Sequence, residues 1–115
     1  MKARVALLGN MNNNHFAMVR YLRASGIDAE LLLFDVEDQH FHPKADSFDT
    51  EYMNFTRQLA WGSPRRFVQT SAKQIQDDLA PYDLVIGCGL APAYCYKANR
   101  VLDIFVPYGG DIWMQ

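Results

Sequence analysis

Three short stretches of this chain carry side chains suited to ligand chemistry, and each lies beside glycine. The first is Gly9-Asn10-Met11-Asn12-Asn13-Asn14-His15. Carboxamides donate and accept hydrogen bonds, and so does a neutral imidazole, which is what recognition of a hydroxyl-rich ligand requires. The plainer account is that one Asn caps a helix and the rest face water. The second stretch is Gly87-Cys88-Gly89-Leu90-Ala91-Pro92. A Cys at a strand-to-helix turn would be activated by the helix N-terminus if it were a nucleophile. No His lies close in sequence to act as its base, although His15 could approach in the fold. Packing of a small side chain at a turn is the preferred account. The third stretch is Tyr108-Gly109-Gly110-Asp111, where the carboxylate could accept from sugar hydroxyls, cap the next helix, or do both.

A fourth cluster, Asp35, Glu37, Asp38, His40, His42 and Asp46, resembles part of a metal site through His40-x-His42. Two imidazoles without a nearby thiolate fall short of a metal signature, and a polar loop with solvated acids accounts for them. No metal is assigned. The same loop, at the end of a strand, is also placed to fold over a cleft. Dinucleotide binding is set aside on the glycine pattern. Gly-x-Gly-x-x-Gly starting at Gly9 would need glycine where Met11 and Asn14 stand, and the missing side chains are what let a pyrophosphate approach the helix.

The elements that would position these stretches follow from hydrophobic pattern. Arg4–Leu8 is a continuous apolar run, as in a strand covered on both faces, and it stops at Gly9. Phe16, Met18, Val19, Tyr21 and Leu22 follow a helical stripe that Gly26 ends. Ala29–Phe34 reads as the second strand, completing a βαβ unit and implying a parallel sheet. Asp35–Phe48 is a polar excursion, Asp49–Trp61 reads as a helix broken by Ser63 and Pro64, and Arg66–Gln69 as a short strand. Ser71-Ala72-Lys73-Gln74 matches a capping box, with Ile75 and Leu79 facing inward and Pro81 as the stop. Leu84–Ile86 makes a further covered strand before the Gly87/Gly89 pair. Pro92 opens a helix running to about Arg100, and Leu102–Val106 is the last strand. The expected architecture is α/β: a Rossmann-like, doubly wound parallel sheet in three layers, α/β/α. Ligands bind such folds beyond the carboxyl ends of the strands. Glycine at three strand ends on one edge (Gly9, Gly87 with Gly89, Gly109 with Gly110) suggests backbone left bare for a ligand.

Bulk properties narrow the classes. The 115 residues are 50% hydrophobic, 21% charged and 13% aromatic, enough for one domain with a core. A formal charge of −2 without a basic run gives no footprint for nucleic acid. Cys88 and Cys95 alone make no disulfide framework, which fits a reduced, cytoplasmic compartment. Val5–Leu8 is too short for a signal peptide core, and no segment reaches the ~20 apolar residues of a membrane span. Membrane contact, if any, is expected to be peripheral, at the inner face.

Taken together, Arg4-Val5-Ala6-Leu7-Leu8-Gly9-Asn10, the Asn tract with His15-Phe16, Arg20-Tyr21-Leu22-Arg23 and Gly26 resemble the opening of GT4-type glycosyltransferases of surface-polysaccharide and lipopolysaccharide pathways. His40-Phe41-His42-Pro43 with Ala45-Asp46-Ser47 resembles the next segment in one subgroup. Tyr82–Gly87 and Pro107–Ile112 resemble its later strands, so the likeness spans nearly all of the chain. The resemblance implies half of a GT-B fold, with residues 1–115 as the N-terminal acceptor-binding domain. The nucleotide-sugar donor would then bind a C-terminal domain outside these residues, which becomes this chain's own partner. It implies transfer of a sugar from a nucleotide diphosphate to a lipid-linked or saccharide acceptor, with no cofactor and no essential metal. Relatives often read His-Gly-x-Asp where Tyr108-Gly109-Gly110-Asp111 stands, so no catalytic residue is assigned there. The expected acceptor wall comprises Gly9, Asn10, Asn12, Asn13, Asn14, His15, Gly87, Gly89, Gly109, Gly110 and Asp111. Two other readings compete: a non-catalytic α/β binding module, and half of a GT-B-like nucleotide-sugar epimerase.

Overall fold

The computed structural model describes residues 3–10, 14–35 and 54–106. The two most apolar runs, β1 (Arg4–Leu8) and β2 (Asp28–Leu33), pair in parallel near the middle of one sheet. β4 (Leu84–Gly87) lies on the other side of β1, and two short strands flank these three. They are β3 (Thr56–Gln58) beside β2 and β5 (Ile104–Phe105) beside β4. All pairings are parallel and the order is β3-β2-β1-β4-β5, so the expected Rossmann-like α/β sheet is present.

Side chains alternate strictly between two cores. Val5, Leu7, Ala29, Leu31, Leu33 and Ile86 pack on one face with Phe16 and Val19 of helix α1 (Asn14–Ala24). Ala6, Leu8, Leu32 and Val85 pack on the other with helices α2 (Ala72–Leu79) and α3 (Ala91–Lys97). Helices on both faces make three layers. Period-2 alternation in strands that are covered on both sides explains why Val5–Leu8 and Leu31–Leu33 read as unbroken apolar runs.

The helix ends follow local rules. Gly26, at φ 89°, closes α1 with hydrogen bonds Gly26 N→Arg23 O and Ile27 N→Leu22 O, the paired bonds of a Schellman motif. Asn99, at φ 54°, does the same for α3 through Asn99 N→Tyr96 O and Arg100 N→Cys95 O. Ser71 caps α2, its Oγ accepting from Gln74 N, and Ile75 and Leu79 are buried as expected. Tyr21, expected on the inner stripe, is instead 72% exposed.

Two expectations are corrected. Within Asp49–Trp61, residues Thr56–Gln58 form an edge strand rather than a helix, pairing with Leu31–Leu33. The Gln58 amide donates to carbonyls at Leu33, Phe34 and Leu59, which ties the strand end to its neighbour. Arg66–Gln69 is not a strand. Pro64–Arg66 is a 3-10 turn that Ser63 caps, and the chain continues turning to Gln69. The third helix also ends sooner than expected, at Lys97.

Candidate functional site at the switch point

The sheet order puts a topological switch between β1 and β4. The chain leaves β1 towards α1 on one face and leaves β4 towards α3 on the other. In open parallel sheets the crevice at such a point is where ligands bind. Leu8 pairs with Gly87 in register, and Cys88 N donates to Leu8 O at 3.2 Å. Gly9 and the Gly87–Gly89 turn therefore emerge side by side, at one edge of the sheet, as the sequence suggested. Val106 N, just past β5, donates to Gly87 O on the same edge. Gly109, Gly110 and Asp111 follow β5 but lie outside the described residues, as do Asn12, Asn13, Glu37, Asp38, His40, His42 and Asp46, and so does Asn14's side chain.

The groups at the start of α1 are held from within. Asn10 is fully buried, and its Oδ1 accepts from Phe16 N at 2.8 Å. One Asn does cap the helix, as the plainer reading had it, and it is the one next to Gly9. His15 is 1% exposed, with Nδ1 at 2.7 Å from Gly9 O. A carbonyl oxygen only accepts, so Nδ1 carries the proton and donates it, and Nε2 carries a lone pair. Nε2 is buried and has no hydrogen-bond partner among the described residues. Burial holds the His15 pKa below its ordinary value, only partly opposed by the Gly9 carbonyl.

The bare backbone of Gly9 and Gly87 has a use other than the one inferred from sequence. A Cβ on Gly9, at φ 87°, would lie 2.8 Å from the Phe34 ring and 2.9 Å from Cys88 Sγ. One on Gly87 would lie 2.4 Å from the Ala91 Cβ and 3.0 Å from Leu102. Both vacancies are filled by the chain's own side chains. Cys88 is buried, with Sγ 3.7 Å from Leu8 O, and acts here as a small packing group. Cys95 is also buried and free, its thiol pushed up to about 11 by burial.

Sequence reasoning missed Phe34 at this edge and took Asp35 only as part of a polar, acidic loop. Phe34 packs against Gly9 and Gly62 and joins an aromatic group with Trp61, Tyr94 and Phe67. Asp35, just beyond β2, accepts from Ser63 N at 2.9 Å and from Ser63 Oγ at 3.0 Å, with Arg66 Nε at 3.8 Å. In dinucleotide-binding folds an acid near this position holds the ribose. Here both oxygens of Asp35 serve the Ser63 turn. The only available signal was the Ser-Pro pair, which marks a turn but not its partner. No helix among the described residues is long and apolar enough to cross a membrane. No protein-family model, curated protein or solved structure matches this chain.

Proposed function

We propose that this chain is the acceptor-side domain of a sugar-transferring enzyme of GT-B architecture, acting on a saccharide or lipid-linked acceptor at the cytoplasmic side of a membrane. The observation that carries the reading is the internal use of both devices that hold nucleotides in Rossmann-like sheets. Asn10 occupies a backbone N–H at the start of α1, where a pyrophosphate would sit. Asp35 is engaged with Ser63, where a ribose would be held. A domain built this way suits a neutral, hydroxyl-bearing ligand, and the resemblance to GT4-type enzymes supplies the reaction. The nucleotide-sugar donor then belongs to another domain.

The filled vacancies at Gly9 and Gly87 favour a second reading, a binding module with no chemistry of its own, because nothing there is kept open for a reacting group. Calorimetry with several nucleotide sugars tests the first reading. The 115-residue chain should bind none of them with sub-micromolar affinity. Such binding would reassign the chain to the donor side. Glycosyl transfer by the product of the complete gene would exclude the module reading.

A further inference from the structure

Helix N-termini ordinarily attract anions, through unpaired N–H groups and the helix dipole. α1, with 11 residues, is long enough to do so. Two side chains at its start present lone pairs instead. Asn10 Oδ1 already takes the Phe16 N–H. His15, in the first turn, is locked by Gly9 O in the tautomer whose Nε2 is a bare acceptor. That nitrogen is buried and lacks a donor among the described residues. A buried acceptor left without a donor is destabilising, so such groups point to a missing partner.

We infer that the first turn of α1 receives a neutral hydroxyl rather than an anion, with His15 Nε2 accepting the hydrogen bond from that hydroxyl. This rests on the acceptor-side reading and narrows its ligand. An anion with no proton to give, such as a carboxylate, a sulfate or a phosphodiester, would set lone pair against lone pair at Nε2. A hydroxyl donates to Nε2 and still accepts from a backbone N–H. His15 is then a positioning residue that selects which hydroxyl is presented.

The test is nitrogen NMR on the 115-residue chain, following the His15 ring nitrogens together with the Gly9 and Gly89 amides. The probes are methyl α-glucopyranoside, inorganic sulfate and a nucleotide sugar. The companion variant is His15→Asn, whose amide can keep the donation to Gly9 O but lacks the Nε2 lone pair. The glycoside should shift Nε2 and both amides, and sulfate should shift none of them. His15→Asn should keep the unfolding midpoint within a few degrees yet bind the glycoside about fivefold or more weakly, the loss of one buried hydrogen bond. A proton found on Nε2, a sulfate-induced shift there, or equal glycoside binding by His15→Asn overturns the inference. Glycoside shifts at Gly9 and Gly89 without one at Nε2 would overturn it and leave the acceptor-side reading standing. Shifts with the nucleotide sugar alone would overturn both.

Discussion

The ring of Phe34 occupies the space that a side chain on Gly9 would need. Strand β2 thereby seals the end of strand β1, and the glycine is required by the chain's own core. Gly9 also sits at φ 87°, which costs about 1–2 kcal/mol for an L side chain. Overpacking adds about 1–3 kcal/mol. Gly9→Ala should therefore destabilise the domain by about 2–5 kcal/mol. Gly26 has a similar φ of 89° but open space around a would-be Cβ. Gly26→Ala should cost only the backbone part, about 1–2 kcal/mol. Urea unfolding of both variants checks this, and equal losses would mean that Phe34 moves aside freely.

The Asp35–Ser63 pairing yields a second expectation. Two hydrogen bonds from Ser63, with Arg66 nearby, hold the turn that carries Trp61 into the core. Asp35→Ala leaves the Ser63 N–H without its acceptor in a partly buried place, and should cost about 1–3 kcal/mol. Asp35→Asn, which keeps an acceptor, should lose less. Neither variant should bind NAD, and neither should the parent. Measurable NAD affinity that Asp35→Ala abolishes would restore the dinucleotide reading.

Both cysteines are buried, and neither is in a disulfide. The thiolate is the reactive form, and burial pushes Cys95 up to about 11. A disulfide-exchange reagent at pH 8 should therefore leave both thiols untouched in the native chain and titrate two on unfolding. Fast reaction of Cys88 in the native state would revive it as a nucleophile.

How far the fold was legible depends on where each signal resides. β1, β2 and β4 announce themselves because a strand covered on both faces is apolar over most of its length, and Ser71 and Gly26 mark helix ends through local rules. β3 was not legible. Thr56-Arg57-Gln58 is polar, and Phe55 with Leu59 has helical spacing, so only pairing with Leu31–Leu33 decides its state. At the candidate site, the convergence of Gly9 with Gly87–Gly89 followed from parallel topology alone. The roles of Phe34 and Asp35 did not, because both depend on partners far away in the chain, Gly62 and Ser63.

The buried His15 imidazole links this site to pH. Its pKa is lowered in the fold, so it is neutral where an exposed histidine, with an ordinary value of 6.5, begins to take a proton. As pH falls below about 6.5, the unfolded chain binds a proton at this position that the folded chain refuses. Stability contributed by neutral His15 is therefore full above that pH, falls as pH drops below it, and levels off once the folded pKa is passed. The slope cannot exceed one proton, about 1.4 kcal/mol per pH unit. His15→Asn cannot titrate, so its stability should fall less over the same range. Urea midpoints of parent and variant at half-unit steps from pH 8 to pH 5 isolate the difference, because the other ionisable groups are common to both. The two curves should run parallel above pH 7 and diverge below it, with the parent losing more. Parallel curves throughout would mean that the imidazole takes its proton as readily in the fold as in water.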